Sequence, residues 1–398
     1  MKRIFIVALS VALGLGVCGA QTKNYKFTEK LYHKVPFRTQ IILPQVDGLN
    51  CYTADLHAHS IFSDAEITPE ERVKEAWIDG LDILAMTDHI ETRRHERDFL
   101  QFLKGYSPDK KGFEPINTRV SRGKHADERG IVSDLNFSTE LALKAAKNYP
   151  ELTIIKGVEI SREPAHIGHY CALFTKDNNI IYSTDDAQTI RNARAQGAII
   201  THNHPGWERT TCDMTEFHKK VYAEGLIDGI EVANGSSFYP DMVRRAVEKK
   251  LYMVAATDIH ATTASLLGKQ NFFREMTLIF AKDKSEKSLR KALLSQKTLA
   301  YCGGHIIGEE SLLAKFFQAS VTAKFISAGK KGVQISLSNQ TSFDYTVIYN
   351  GVEIYLPAFQ TVNTTIKDEN AAFTVKNMIH VDYQQDRKST RLNSSHIH

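Results

Sequence analysis

Between residues 50 and 305 the sequence alternates short apolar runs with amphipathic helical patterns, and this alternation limits the folds it can adopt. The apolar run at 52–56 is followed by Thr68-Pro69-Glu70-Glu71, which is typical of a helix start, and then by a second apolar run at 81–86. Further predicted strands lie at 152–156, 198–201, 229–232, 251–256 and 298–302. Such repetition predicts a parallel α/β sheet, and this many units over about 255 residues favours a barrel.

The first residues differ from this body. Lys2 and Arg3 precede a short apolar run that ends at Val17 and is followed by Cys18-Gly19-Ala20. This combination is typical of a signal peptide, here residues 1–20, and a lead segment over 21–49 follows it. The run is shorter than a membrane-spanning helix requires, although a membrane anchor and lipidation of Cys18 are alternatives. We expect an exported protein, periplasmic or secreted, with no transmembrane span once the signal is removed.

The far end is also unusual. Residues 385–398 have no apolar periodicity and resemble translated cloning sequence, so they are left out of the fold prediction. The formal net charge of +4 comes from the two ends of the chain, because the body between them has no overall basic excess. The sequence therefore carries no strong nucleic-acid signature. The cysteines beyond the signal segment form no CxxC pair, and disulfide pairing stays open.

The residue pattern of the sequence changes from alternating strand and helix signals to strand signals alone after a predicted connecting helix at 306–318. Residues 319–384 alternate polar and apolar side chains and are rich in β-branched and aromatic residues. Asn350-Gly351 separates two such runs and is a strong hairpin signal. We therefore predict a small C-terminal all-β sandwich domain at 319–384, following the α/β domain at 50–305.

Histidines and acidic residues follow the predicted strands at their carboxyl ends. They are His57, His59, Asp64, His89, Glu159, His166, His169, His202, His204, Asp258 and His260. In a barrel these strand ends meet at one face, where loops build the site. A single histidine at such a position is more often structural, but imidazoles and carboxylates gathered together suit Zn, Mn or Fe. The candidates outnumber the ligands that one ion needs, so two or three ions are predicted.

The motifs that carry these residues resemble those of the polymerase and histidinol phosphatase (PHP) family of metal phosphoesterases. They are Asp55-Leu56-His57-Ala58-His59-Ser60, Ser63-Asp64, Thr87-Asp88-His89, Gly157-Val158-Glu159, Asn203-His204-Pro205-Gly206 and Thr257-Asp258-Ile259-His260. The resemblance covers residues 50–305 and implies a distorted (β/α)7 barrel that holds three divalent metal ions. One departure is Ala65, where the family usually has glycine; it affects the shape of a loop and no ligand.

The resemblance also implies which residues hold each ion. The first ion takes His57, His59, Glu159 and Asp258, the second takes Glu159, His169 and His204, and the third takes Asp64, His89 and His260. His169 is preferred to His166 because it precedes an apolar run, as in the family. The implied reaction is hydrolysis of a small phosphate ester by a hydroxide that bridges two ions. Export and an appended β domain are similar to the secreted broad-specificity phosphodiesterase branch, which implies small phosphodiesters as substrates.

Three further residues are candidates for contact with the substrate. Arg162 follows Glu159 closely and is predicted to clamp the phosphate, with Arg93 as the second choice. The alternative for each arginine is a solvated loop position. His202 is predicted either to protonate the leaving group or to orient His204.

Three other functions fit parts of the pattern. A phosphomonoesterase resembling histidinol phosphatase would use the same fold and the same ligands. An amidohydrolase-type barrel also uses an HxH motif and a late aspartate, but it does not require the Ser-Asp, Thr-Asp-His and final Asp-x-His motifs. A non-catalytic metal-binding protein is the third alternative, and the complete ligand set argues against it.

Overall fold

The computed structural model describes residues 37–93, 95, 116–117, 130–131, 134–267, 273–367, 371–381 and 391–393, so the predicted signal peptide lies outside the described residues. The helices are α1 Pro69–Ile78, α2 Phe137–Ala146, α3 Asp186–Ala195, α4 Glu216–Ala223, α5 Pro240–Lys249, α6 Thr263–Leu267, α7 Glu286–Leu294 and α8 Glu310–Ser320. The strands are β1 Asn50–Asp55, β2 Ile83–Met86, β3 Ile116–Asn117, β4 Gly130–Ile131, β5 Thr153–Arg162, β6 Gly168–Leu173, β7 Ile199–His202, β8 Gly229–Asn234, β9 Ser237–Phe238, β10 Tyr252–Ala256, β11 Met276–Ala281, β12 Thr298–Cys302, β13 His305–Ile307, β14 Val321–Gly329, β15 Gly332–Asn339, β16 Tyr345–Tyr349, β17 Val352–Leu356, β18 Thr361–Ile366, β19 Ala372–Val375, β20 Met378–Ile379 and β21 Arg391–Asn393.

The main sheet has the order β10-β8-β7-β6-β5-β2-β1-β11-β12-β13-β20, with β9 beside β8. Strands β1, β2 and β5 are parallel, and so are β7, β8 and β10, as the strand–helix alternation predicts. Strand β6 is antiparallel to both its neighbours, and β11, β12 and β13 form an antiparallel run beside β1. The predicted α/β class is confirmed, but the sheet is mixed rather than parallel. The seven-unit barrel stays a prediction.

The short connection between β5 and β6 explains one of these reversals. Residues 163–167 are too few for the crossover that a parallel pair requires, so the chain returns as a hairpin. Gly168, where β6 begins, has φ +85, a value that favours glycine.

The main sheet curls into a half-barrel, so β1 and β10 approach each other although many strands separate them in the sheet. Just beyond these two strands, Ala58 and Ile259 form a parallel bridge, and the amide of Asp258 donates to the carbonyl of His57 at 2.9 Å. The hydroxyl of Thr277 on β11 also donates to the carbonyl of Ala255 on β10 at 2.9 Å. The curl therefore places the ends of β1 and β10 side by side.

Helix α1 shows how the local sequence fixes an element of this fold. The hydroxyl of Thr68 accepts a hydrogen bond from the amide of Glu71 at 3.3 Å, as the capping motif predicts. Val73 and Ala76 form the buried face of the helix. The chain turns away at Gly80, where φ is +90 and an added Cβ would lie 2.6 Å from the carbonyl oxygen of Thr39. Glycine is therefore required at this stop.

The C-terminal part adds two further sheets, β14-β15-β18 and β17-β16-β19-β21. Asn350 and Gly351 join β16 to β17 with φ values of 49 and 80, as the hairpin signal predicts. Ile335 of the first sheet and Val375 of the second belong to the same buried cluster. The predicted β structure is therefore present. Arg391–Asn393, from the tail left out of the fold prediction, pairs with β19 at the edge of the second sheet.

The hydrophobic core continues from these sheets into the main sheet. The ring of Tyr301 on β12 stacks on Phe343 at a centroid distance of 4.4 Å, and Phe316 of α8 packs edge-on against Phe280 of β11 at 5.9 Å. Strand β20 joins the main sheet beside β13. Within the described ranges, no helix has both the length and the apolar character needed to cross a membrane.

Candidate metal centre

The site begins where β1 ends. His57 and His59 lie in extended backbone, so their rings project to the same side, and both are buried. The backbone amide of His59 donates to the carbonyl of Ile259 at 3.3 Å, which ties this segment to the end of β10. The Nε2 atom of His57 lies 3.3 Å from Glu159 Oε2 and 3.3 Å from Asp258 Oδ1. The end of β1 thus meets acidic side chains from β5 and from the loop after β10.

Three groups of side chains each place their ligand atoms within 4.8 Å of one another. They are His57, His59, Glu159 and Asp258; Glu159, His169 and His204; and His59, Asp64, His89 and His260. The structure therefore brings together all the predicted metal ligands in the predicted sets, with His59 added to the third. His166, the alternative to His169, is exposed and belongs to none of these groups.

The carboxylate of Glu159 lies where these groups meet. Its Oε2 atom is 2.8 Å from His89 Nδ1 and 3.3 Å from His57 Nε2. Its Oε1 atom is 3.3 Å from His169 Nδ1 and 3.4 Å from His204 Nε2. A carboxylate whose two oxygens face different histidines has the arrangement of a bridging ligand.

The chemistry of the donor atoms fits divalent cations. Asp64 Oδ1, Glu159 Oε2 and both ring nitrogens of His169 are buried, and their close polar contacts are with other members of the donor groups rather than with hydrogen-bond partners outside them. The Nε2 atoms of His57 and His59 lie 3.0 Å apart, where neutral rings can place at most one proton between them. Buried acceptors without donors are unfavourable, and a cation satisfies them together. Imidazole and carboxylate ligands suit Zn, Mn and Fe.

Burial and neighbouring charges set the protonation of the site. Burial, together with the charge of His260, lowers the pKa of His59 to about 4, so this ring is neutral at pH 7. Burial alone would raise the pKa of Glu159, but the charges of His57 and His89 and the hydrogen bonds from His169 and His204 together outweigh burial and hold the pKa well below its usual value. His57, His59 and His204 together lower the pKa of Asp258 in the same way, against the effect of burial. Both carboxylates are therefore ionised.

Comparisons with known proteins bear on this arrangement. The PHP domain matches residues 55–230. A crystal structure from Bacteroides vulgatus ATCC 8482, of a two-domain protein containing a predicted PHP-like metal-dependent phosphoesterase, is 30% identical with a TM-score of 0.76. That similarity covers 90% of this chain and 99% of the other. The chain belongs to the PHP family. It therefore has the fold of a PHP-like metal-dependent phosphoesterase, with a cluster of side chains able to bind metals.

Two less similar structures also match parts of the chain. An amidohydrolase from Chromobacterium violaceum is 16% identical, with a TM-score of 0.34 over 54% of this chain and 89% of that one. Endonuclease Q, in complex with a 27-mer duplex that carries an abasic lesion, is 16% identical, with a TM-score of 0.38 over 65% of this chain and 60% of that one. No curated protein matches the chain.

Two residues outside the predicted ligand set hold the PHP ligands in place. Glu231 Oε1 lies 2.8 Å from His57 Nδ1, and Glu231 Oε2 accepts from the backbone amide of His204 at 2.6 Å. Asn203 Nδ2 donates to Glu159 Oε1 at 2.8 Å. Such partners fix the orientation of ligands. Sequence reasoning missed Glu231, although a carboxylate inside an otherwise apolar predicted strand was a usable signal.

The guanidinium group of Arg72 on α1 connects two ligand-bearing segments of the PHP site. It is fully buried, and its Nε donates to the carbonyl of His59 at 3.0 Å. The other two nitrogens donate to the carbonyl oxygens of Ile259 at 3.1 Å and Ala261 at 3.0 Å. One side chain thereby fixes the backbone after β1 against the backbone after β10.

The structure does not bring Arg162 to the PHP cluster, so its assignment as phosphate clamp is corrected. Side chains alternate along β5, and since Glu159 faces the site, Arg162 faces away from it. The guanidinium is buried, with Nε 3.1 Å from Glu91 Oε1 and Nη2 donating to Thr189 Oγ1 at 2.5 Å. It braces β5 against α3. Alternation along the strand was the signal that could have excluded it.

His202 is also placed away from the PHP cluster, and its role as the acid for the leaving group is corrected. Asn203 faces Glu159, so the preceding ring turns outward, where His202 Nδ1 lies 2.9 Å from the hydroxyl of Tyr222. The ring stacks on Tyr170 at a centroid distance of 5.1 Å. Burial lowers the pKa of His202 well below its usual value, so the ring is neutral at pH 7 and lacks the acidic imidazolium proton that a general acid donates.

Arg93 lies next to the PHP cluster. Its Nη1 atom donates to the carbonyl of His89 at 2.9 Å, and the side chain is buried. A guanidinium at this position suits a phosphate oxygen better than Arg162 does. Its contact with substrate stays a prediction.

Proposed function

We propose that this protein hydrolyses phosphate esters, and among them small phosphodiesters, with three divalent ions of Zn, Mn or Fe. The observation that carries the proposal is the position of Glu159, a buried carboxylate that belongs to two donor groups at once. Structural sites for a single ion need no shared ligand of this kind. The ions would be held by the three ligand sets that the family resemblance implies.

When bound, such ions stabilise charge on the phosphate and lower the pKa of water, which makes it a nucleophile near neutral pH. The chain's own residues prepare the site for that chemistry. Glu231 orients the ring of His57, and Asn203 holds the carboxylate of Glu159. Arg93 is proposed to contact a phosphate oxygen as negative charge develops there.

The proposed reaction is a substitution at phosphorus. A bond forms between a water oxygen and phosphorus while the bond from phosphorus to the ester oxygen breaks. The proton that the attacking water loses ends on the departing alkoxide, which leaves as an alcohol, and the remaining phosphate keeps its negative charge. Glu159, His57 and His169 are buried, and burial strengthens the electrostatic interactions between them.

We also propose that the protein acts outside the cytoplasm and that diesters are preferred over monoesters. The signal-like segment at residues 1–20 supports export, and the appended β sheets are the feature on which the resemblance to the secreted branch rests. Cell fractionation of the full chain tests the first proposal. Recovery of an uncleaved chain in the cytoplasm would contradict it.

The hydrolysis proposal is tested by metal analysis of protein purified without added metal, followed by assays with nitrophenyl phosphate monoesters, diesters and amides. Diester turnover well above monoester turnover is the expected result. Higher monoester turnover would identify a phosphomonoesterase. Turnover of amides alone would favour an amidohydrolase, and no turnover with Mn, Zn, Fe or Co would favour a non-catalytic metal-binding protein.

A further inference from the structure

Trp207 lies at the rim of the metal centre and leaves a large apolar surface open. It comes three residues after His204, and its amide donates to the carbonyl of His204 at 2.9 Å. The centroid of its ring system lies 5.1 Å from the ring of His169 and 5.5 Å from that of His204. The side chain is nevertheless 42% exposed. The indole therefore contacts two predicted ligands and presents its remaining surface to solvent.

The loop that carries Trp207 is held firmly. An added Cβ at Gly206 would lie 2.8 Å from the ring of Tyr239 and 3.1 Å from Cys212 Sγ, so the absence of a side chain lets the backbone pack closely there. Arg209 then fixes the loop with two hydrogen bonds. Its Nη1 donates to the carbonyl of Pro205 at 3.1 Å, and its backbone amide donates to the carbonyl of Gly206 at 3.1 Å. A tryptophan on a fixed backbone can form a preorganised contact surface.

A second aromatic ring borders the same side of the site. The ring of Tyr239 packs against Gly206. Burial, and to a smaller extent the negative charge of Glu231, raises the pKa of Tyr239 to about 12, so its hydroxyl stays neutral. Another part of the centre is polar, since His260 Nε2 lies 3.1 Å from Asp64 Oδ1 and both side chains are partly exposed. The rim is therefore aromatic beside His204 and charged beside His260.

We propose that Trp207 is a specificity-determining residue that stacks on a planar aromatic ring carried by the phosphate compound. The proposal rests on the proposed function in that the phosphate group occupies the metal centre. A substituent that extends from the phosphate past His204 meets the exposed indole surface. Aromatic faces attract one another in offset or edge-on geometry, and this adds to the gain from burying apolar surface. Short aliphatic substituents lack both contributions.

The test compares phenylphosphonate with methylphosphonate, which share the charged group and have a P–C bond that the proposed hydrolysis cannot break. Their affinities for the metal-loaded full chain are measured by titration calorimetry. We expect phenylphosphonate to bind at least about tenfold more tightly. Trp207→Leu should abolish this preference, whereas Trp207→Phe, which keeps an aromatic ring, should retain most of it. Equal affinities in the wild type, or a preference that survives Trp207→Leu, would overturn the proposal.

The chain has two tryptophans, and the second one, Trp77, provides a matched control. Replacing it also allows the fluorescence of Trp207 to be measured alone. Trp77 lies on α1, where its Nε1 donates to Glu151, and it belongs to none of the donor groups. Trp77→Phe should leave the phenyl preference unchanged and make Trp207 the sole indole. In that variant, phenylphosphonate should alter the indole fluorescence more than methylphosphonate does at saturation. An equal response to both would place the phenyl ring away from Trp207.

The same samples separate this proposal from the proposed function. If no nitrophenyl ester is hydrolysed but the phenyl preference depends on Trp207, the hydrolysis proposal fails and the aromatic contact stands. If esters are hydrolysed and Trp207→Leu weakens both phosphonates by the same factor, Trp207 only covers His169 and His204, and the specificity proposal fails.

Discussion

At the scale of single residues, the charge of Glu159 is expected to matter more than its shape. Replacing Glu159 with Gln keeps the size of the side chain but removes the charge and one of the two acceptor oxygens that face different histidines. We expect Glu159→Gln to lose bound metal and at least about 100-fold in kcat/KM while remaining folded. Metal analysis by mass spectrometry and circular dichroism check this. Glu275→Gln, which changes a buried carboxylate outside the donor groups, should keep its metal.

A second prediction at this scale concerns acid stability. Burial, and then the charge of Arg209, lowers the pKa of His218 to about 4, while the unfolded chain has a pKa near 6.5. Below pH 6.5 the unfolded state therefore gains a proton that the folded state does not, and stability falls as the pH decreases towards 4. His218→Gln should reduce this loss by about 1–2 kcal/mol at pH 5, measured by urea unfolding. His305→Gln, a substitution of the same kind at an exposed histidine, is measured beside it as the control variant.

Residue positions along a strand explain which site residues could be predicted. Most members of the donor groups were predicted because they follow apolar runs, which is a property of the sequence alone, whereas His169 was chosen over His166 from the family resemblance. Arg162 was assigned wrongly because closeness in sequence to Glu159 was given more weight than the alternation of side chains. Glu231 was missed because its contact with His57 joins β8 to β1, and no local pattern records a contact between distant strands.

At the scale of elements, Arg72 makes α1 part of the metal centre. Arg72→Met would leave the carbonyl oxygens of His59 and Ala261 without their donors and would remove one of the two donors to that of Ile259, at an expected cost of about 3 kcal/mol in unfolding free energy. It should also weaken metal binding, because the segments after β1 and β10 would no longer be fixed together. Chemical denaturation and calorimetric metal titration measure the two effects.

Arg290 on α7 offers the matched control. It also ties a helix to backbone carbonyls, those of Gly197 and Phe174, but away from the donor groups. Arg290→Met should lower stability and leave metal affinity unchanged. Equal metal affinity in the Arg72 and Arg290 variants would show that the connection made by Arg72 is structural only.

Element types were easier to predict than strand directions. The start of α1 and the hairpin at Asn350 are determined by residues next to each other in sequence, and both form as expected. Strands β6 and β11 were not among the predicted strands, and their antiparallel directions depend on which strand lies alongside, because an apolar run reads the same in either direction. Helix α4 was not predicted, since its capping residue Thr215 pairs with a histidine rather than a carboxylate or amide.

At the scale of the whole molecule, metal binding should contribute to stability. The donor groups join segments from β1, β2, β5, β6, β7 and β10, so an ion bound there favours the folded chain over the unfolded one. A chelator should lower the melting temperature, and metal at about 100 times its Kd should restore about 2.7 kcal/mol per independent site. Thermal melts with and without chelator test this. Glu159→Gln should respond much less, and an equal response would contradict the predicted sites.

The continuity of the core across β12, α8 and the C-terminal sheets has a practical consequence. The PHP match ends at residue 230, and the predicted ligands end at His260, yet Tyr301 and Phe316 need Phe343 to cover them. A fragment that ends at residue 318 would keep every predicted metal-binding side chain but would expose the apolar surface that the C-terminal sheets cover. We expect such a fragment to precipitate on expression because of this exposed apolar surface. The segment that carries the predicted ligands is therefore shorter than the segment that folds on its own.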